Sequence, residues 1–179
     1  MKEFNSKNLL SKIVVNVGVG KLSQQANFSE KILPQIVKEI SAITGQRAKE
    51  TKAKKSIAGF KLREGQIVGL VATLRGRKMV DFFERLTRIV LPRVHDFKGI
   101  SLGAVDQGGA LHIGFKEQSM FPELNSEESN FNFSFGINIV PKIQKRAEMI
   151  ENYRKLGVAF MTKEEKIIKG KRKKKTNNG

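Results

Sequence analysis

The sequence predicts an α+β fold: one mixed or antiparallel sheet with helices packed on one face, a protruding basic loop and a disordered basic C-terminal tail. Three observations predict it. Segments of β-branched or alternating residues are interleaved with stripes of apolar residues at helical spacing. The strands follow one another in hairpin-like succession with helices between them, which suits one sheet covered on one side. The chain after about residue 161 is strongly basic and has almost nothing to bury.

Each element follows from local pattern. Ile13 to Val19 is rich in β-branched residues and ends at Gly18 and Gly20, predicting a strand and a turn. Leu33, Ile36, Val37, Ile40 and Ile43 recur at helical spacing up to Gly45, with Pro34 tolerated in the first turn. Arg47 to Thr51 fits a short strand, and Lys52 to Gly65 has no period and reads as a loop. Ile67 to Leu74, bounded by Gly65 and Gly76, is a second strand. Met79, Phe82, Phe83, Leu86, Ile89 and Val90 lie on one helical stripe that should end near Pro92. Ala110 to Phe115 and Phe131 to Val140 are two further strands, the second closed by Pro141, and Ile143, Ala147, Ile150 and Tyr153 predict a last helix running to Gly157. No internal repeat is visible.

The 179 residues, 39% hydrophobic, suit one domain or one domain plus tails. The pattern divides them into a short segment 1–10, a folded domain 11–161 and a basic tail 162–179. A formal charge of +17 needs a polyanion to neutralise it. The eight basic and two acidic residues from Lys163 onward account for only part, leaving the body at +11. Nucleic acid is the expected partner, with Lys171, Arg172, Lys173, Lys174 and Lys175 as tail contacts to phosphate. No membrane partner is expected, since there is no long apolar stretch and no amphipathic basic helix. The absence of Cys excludes disulfides and thiolate metal sites. The amino terminus shows no secretory signal pattern, so the expected location is cytoplasmic.

No catalytic, metal or cofactor site is expected. The turn from Val17 to Ser23 resembles a dinucleotide-binding glycine loop, with Glu39 placed for a ribose contact, but Ser23 stands where the third glycine is needed. A phosphate-binding Walker loop fails at Leu22, where a hydroxyl residue is required. Neither His95 nor His112 has a set of metal-type neighbours, and Asp81 and Glu84 read as helix-surface partners of Arg85 and Arg88. The richest signal is Arg47 to Arg63, with seven basic residues and one acid. Here Phe60 either stacks on a base while Lys52, Lys54, Lys55, Lys61 and Arg63 meet phosphates, or it plugs the loop into the core.

The run Thr51 to Gly65 (TKAKKSIAGFKLREG) resembles the signature of the universal ribosomal protein five family of the large subunit, bacterial type. So do Val15 to Gly20 (VNVGVG), Thr44 to Gln46 (TGQ), Thr73 to Gly76 (TLRG), Leu91 to Gly99 (LPRVHDFKG), Gly114 to Gln118 (GFKEQ) and Phe121 to Glu123 (FPE), in family order over about Ile13 to Phe160. The resemblance implies a structural protein of the central protuberance that binds 5S rRNA beside 23S rRNA. It also implies a loop approaching P-site tRNA and a contact with a small-subunit bridge protein among neighbouring ribosomal proteins. Carried over by motif, Asn16, Gln46 and Thr73 match 5S-contacting polar residues, with Arg75 a nearby basic candidate. The tRNA-facing loop maps to Lys52, Lys54, Lys55, Ser56, Gly59, Phe60, Lys61 and Arg63.

The chain also departs from the family pattern. Little precedes Ile13 where a helix is usual, Val71 replaces a common lysine, and Val105 to Ala110 (VDQGGA) lacks an arginine. The basic extension after Phe160 is longer than usual. Two other readings remain: a free-standing RNA-binding regulator or chaperone, and a nucleotide-using enzyme resting on the Gly18 turn.

Overall fold

The computed structural model describes residues 6–20, 22–124 and 131–161. The predicted tail, with Lys171, Arg172, Lys173, Lys174 and Lys175, lies outside the described residues. One helical turn, α1 (Ser6–Leu9), leads into β1 (Leu10–Gly18), which begins three residues before the predicted strand because Leu10 is fully buried. Next come α2 (Leu33–Thr44), β2 (Lys49–Lys52), β3 (Ile67–Leu74), α3 (Gly76–Arg85), a short α4 (Leu91–Arg93), β4 (Leu111–Phe115), β5 (Phe135–Pro141) and α5 (Arg146–Lys155).

The five strands form one sheet in the order β2-β3-β1-β5-β4, antiparallel at every pairing. Of the two arrangements the sequence allowed, the antiparallel one is realised. Hairpin connections join β2 to β3 and β4 to β5, and β1 takes the centre. Its odd-numbered residues Ile13, Val15 and Val17 are buried, as are Leu70, Ala72 and Leu74 of β3 and Phe135, Ile137 and Ile139 of β5. This strict alternation lays one apolar face under the helices.

On the helical side, Leu33, Ile36, Ile40 and Ile43 of α2, Met79, Phe82 and Phe83 of α3, and Met149 and Tyr153 of α5 complete the core. Truncating one of the fully buried residues, such as Ile36, to alanine is expected to cost about 2–5 kcal/mol. Two predicted helices differ from their patterns. A π turn over Phe28–Ile32 leads into α2, so the helical path begins before Leu33. A second π turn, Leu86–Val90, joins α3 to α4, and the helical path ends at Arg93, one residue past Pro92, near the predicted end.

Only Phe135 to Val140 of the predicted Phe131–Val140 strand joins the sheet, and Pro141, expected to close the strand, is the last residue of β5. Ahead of it, the Gln118 carboxamide does a strand's work. Its Nε2 donates to Phe131 O at 2.6 Å, and its Oε1 accepts from Phe133 N at 3.1 Å. The backbone is satisfied without a ladder, and Phe133 packs in an aromatic cluster with Phe115, Phe121 and Phe135. The last helix starts at Arg146, three residues after Ile143, and that arginine donates to Val105 O at 3.0 Å and Leu102 O at 2.9 Å.

Candidate nucleic-acid interface

The strand residues that alternate with the core line the opposite face of the sheet: Lys12, Val14, Asn16 and Gly18 on β1, Gly69, Val71 and Thr73 on β3, Gly136, Asn138 and Val140 on β5, His112 and Gly114 on β4. Asn16, Gly18, His112 and Gly114 are exposed. Glycines meet across the ladders, Gly18 opposite Gly69 and Gly114 opposite Gly136. A β-carbon at Gly18 or Gly114 would meet nothing of the protein within 4 Å, so both leave the surface low. The result is a flat patch of backbone with short polar side chains standing in it. The broad, shallow minor groove of an RNA helix, edged with 2′-hydroxyls, fits such a surface.

Asn16 and Thr73 lie on this face, with Gln46 and Arg75 beside them at the end of β3. Thr73 pairs with Val14, which makes it a diagonal neighbour of Asn16. Gln46 arrives from the end of α2, where Gly45 takes the left-handed conformation (φ 64°) and donates to Ser41 O. The Thr44 hydroxyl lies 2.7 Å from Ile40 O and 2.8 Å from Gln46 O, and Lys78 Nζ donates to Gly45 O at 2.8 Å. So held, Gln46 Nε2 donates to Thr73 O at 3.3 Å. Arg75 follows β3 in an extended conformation and is exposed.

The structure adds three residues that sequence reasoning did not single out for this face. Asn138 Nδ2 donates to Asn16 Oδ1 at 3.0 Å, His112 Nδ1 lies 2.7 Å from Asn138 Oδ1, and His112 Nε2 lies 3.3 Å from Asp106 Oδ2. The chain Asp106–His112–Asn138–Asn16 crosses β4, β5 and β1. The bond to Asn138 foremost, then Asp106, holds the His112 pKa above its ordinary value against partial desolvation. Asp106 is held below its ordinary value chiefly because its carboxylate accepts from Ala110 N at 2.8 Å, with His112 adding to the effect. Alternation along β4 assigns His112 to the polar face, but only the cross-strand register shows its neighbours.

The basic loop continues the β2–β3 hairpin. Ala53 N donates to Gln66 O, Gly65 N to Ala53 O, and Ile57 and Leu62 exchange both backbone bonds. Its tip is a 3₁₀ turn, Ala58–Phe60, closed by Lys61 at φ 51°. Ser56 Oγ accepts from Glu64 N at 2.9 Å and so holds the loop's shape. Phe60 is 70% exposed and Ile57 47%, which overturns the core-plug alternative for Phe60. Lys52 ends β2, and Lys54, Lys55, Lys61 and Arg63 are exposed around the tip. A β-carbon on Gly59 would touch nothing in the chain.

The Gly18 turn does not build a dinucleotide site. Such a site needs a parallel βαβ unit, whereas β1 is antiparallel to both neighbours and is followed by a single 3₁₀ turn, Leu22–Gln24. Ser23 is instead tied to the hairpin, accepting from Gln66 Nε2 at 2.8 Å. Among the described residues no group of three or more His, Asp or Glu is placed to hold a metal ion, and no helix is long and apolar enough to cross a membrane.

Residues 9–63 match the family described as Ribosomal protein L5, and residues 67–168 match the model of the C-terminus of that ribosomal family. The chain is similar to the large ribosomal subunit protein uL5 of Geotalea uraniireducens, 44% identical over 165 residues that cover 89% of this chain and 90% of the relative. It is also similar to uL5 of Geobacter sulfurreducens (43% over 164 residues, 89% of each chain) and of Acholeplasma laidlawii (46% over 151 residues, 84% of this chain and 82% of the relative). With both halves of the domain matched in order, the chain belongs to the ribosomal protein L5 family, structural RNA-binding proteins of the large ribosomal subunit and not enzymes.

Proposed function

We propose that the open sheet face anchors 5S rRNA in the large subunit, with Asn16, Gln46 and Thr73 as polar contacts, Arg75 as a phosphate contact beside them, and 23S rRNA adjoining. One observation carries this reading: the strand register sets Asn16 and Thr73 as diagonal neighbours on the open face, and Gln46, from the end of α2, bonds the Thr73 main-chain oxygen beside them. The β2–β3 hairpin tip is a second surface. Its exposed Phe60 and lysines suit an approach to P-site tRNA, since an aromatic ring can stack while ammonium groups meet phosphates. Lys171 to Lys175 of the tail add phosphate contacts, and a small-subunit bridge protein is a further neighbour. The protein works on cytoplasmic ribosomes.

Equilibrium binding of the full chain to 5S rRNA tests the reading. Asn16→Ala, Gln46→Ala and Thr73→Ala should each bind more weakly than the parent, while Lys38→Ala on the helical side should not. A free-standing RNA chaperone would instead bind unrelated RNAs of equal length as tightly as 5S rRNA.

A further inference from the structure

We propose that Asp106, His112 and Asn138 form a polarised relay that determines which atoms of Asn16 face the RNA, and that the protonation of His112 sets its direction. The inference rests on the reading of the open sheet face as the RNA surface. Its basis is geometric. Asn138 donates through Nδ2 to Asn16 Oδ1, so its own Oδ1 is the atom turned to His112 Nδ1, 2.7 Å away. An amide oxygen only accepts, so Nδ1 carries a proton. On the other side Nε2 faces the Asp106 carboxylate at 3.3 Å, which also only accepts. An imidazolium, with a donor at each nitrogen, satisfies both. With its oxygen taken up by Asn138, Asn16 offers the two N–H donors of Nδ2 to a ligand.

Loss of one proton breaks this arrangement. A neutral imidazole that keeps its bond to Asp106 carries its proton on Nε2, and Nδ1 becomes an acceptor. Asn138 then satisfies it by turning its amide, which presents Oδ1 toward Asn16 and turns that amide in sequence. Asn16 now shows an oxygen where it showed donors. A donor suits phosphate oxygens and the oxygen of a 2′-hydroxyl, whereas an oxygen facing phosphate is repelled. His112 and Asn138 are therefore positioning residues for Asn16. The raised pKa of His112 and the lowered pKa of Asp106 agree with the imidazolium form.

The other titratable or charged groups near the relay are few. His95 and Lys116 line the same groove as His112, with Lys116 just beyond the end of β4. Lys12 lies on the open face beside Val140, one pleat from Asn138. From α5, Arg146 donates to Val105 O, one residue before Asp106, and the buried Tyr153 has its hydroxyl pushed well above the ordinary tyrosine range by burial first and by the Asp106 charge second, so it stays protonated.

Two measurements on the full chain test the relay. The first follows the side-chain amide resonances of Asn16 and the imidazole nitrogens of His112 by NMR across a pH titration without RNA. The Asn16 amide is expected to shift with the His112 midpoint in the parent and to lose that shift in Asn138→Val, which puts a strand-favouring β-branched residue without hydrogen-bonding groups in β5. The second measures 5S rRNA affinity at about pH 5.5 and about pH 8.5, on either side of the ordinary histidine value. The parent should bind about tenfold more weakly at the higher pH, the scale of one charge-assisted hydrogen bond, and His112→Asn should lose most of that difference. An Asn16 amide that ignores the His112 titration, or an unchanged pH dependence in His112→Asn, overturns the relay. Coupled Asn16 and His112 signals in a protein with no 5S preference at either pH overturn the RNA reading of this face, and with it the relay's role in binding.

Discussion

The carboxamide of Asn16 lies over Gly136 on the neighbouring strand, and a β-carbon built on Gly136 would fall 2.9 Å from Asn16 Oδ1 and 3.3 Å from Nδ2. The two residues are direct partners in the β1–β5 register, so the missing side chain of one makes the seat of the other. Gly136→Ala should leave the fold intact and tilt the Asn16 amide out of place. A mispositioned polar contact inside a desolvated interface costs on the order of 1–3 kcal/mol, so 5S rRNA affinity should drop by about tenfold. Gly114→Ala, next to it on β4, adds a methyl group into open space. Thermal melts of both variants should match the parent closely, and the binding assay should separate Gly136→Ala from it.

Replacing Lys54, Lys55 and Lys61 with alanine, or Phe60 with alanine, should leave isolated 5S binding nearly unchanged while lowering P-site tRNA occupancy on reconstituted ribosomes. Stability should hold, because Phe60 is 70% exposed and its truncation opens no cavity. The loss in occupancy should be modest, since each exposed phosphate contact contributes little. Filter-binding of tRNA to the reconstituted particles reads the effect, and a variant that loses 5S binding instead would show the hairpin tip to be part of the 5S surface.

Deleting Lys163 to Gly179 removes eight basic residues and should flatten the dependence of RNA affinity on salt while keeping the preference for 5S rRNA. Each phosphate no longer neutralised reduces the slope of log affinity against log salt by about 0.9 for duplex or about 0.7 for single strands. Titrations of both proteins across a salt series give the number of phosphates directly. An unchanged slope would show that the tail does not touch RNA.

Tyr153 fixes α5 under the β4–β5 hairpin: its hydroxyl lies 2.9 Å from Gly109 O and 3.4 Å from Ile139 O, and it is fully buried. Tyr153→Phe leaves those carbonyls short of a donor and should destabilise the fold by about 1–3 kcal/mol. Denaturant unfolding should show a lower midpoint with an unchanged slope.

The pair Asp106 and His112 gives stability a pH dependence whose sign follows from the two shifts. His112 is raised in the folded state, so its contribution is complete below the unfolded value near ~6.5 and is lost as pH climbs through the folded value. Asp106 is lowered, so its contribution is complete above ~3.9 and is lost as pH falls through the folded value. The melting temperature of the parent should therefore exceed that of His112→Asn most between about pH 4 and about pH 6.5, and the gap should close on both sides. Both side chains are about half exposed, so the gap is small.

Much of this architecture is legible in the sequence because it depends on local period. Ile67 to Leu74 is found where the β-branched run predicts it, since Gly65 and Gly76 bracket it and alternate residues meet the core. Alternation also puts Asn16 and Thr73 at the polar phase of their strands, but only the motif resemblance singles them out with Gln46. What was not legible depends on contacts distant in the chain. Phe131 to Ser134 alternates like a strand, yet Gln118 occupies its backbone groups. Pro92 marks the helix end in sequence, and the helix ends at Arg93, but nothing in the apolar stripe announces the π turn Leu86–Val90 before it. Phe60 reads equally as plug or platform until the hairpin tip is seen to stand clear of the core. His112 acquires Asn138 and Asn16 as neighbours only through the register of three strands.

The central claim, that the open sheet face holds 5S rRNA, is tested most directly by crosslinking from that face. A photoreactive side chain in place of Gly18, where the structure leaves open space, would be compared in growing cells with the same group in place of Lys38 on α2. Sequencing of the attached RNA should return 5S rRNA from position 18 and little or none from position 38. Recovery of 5S rRNA from position 38 alone, or of other RNAs only from position 18, would contradict the account.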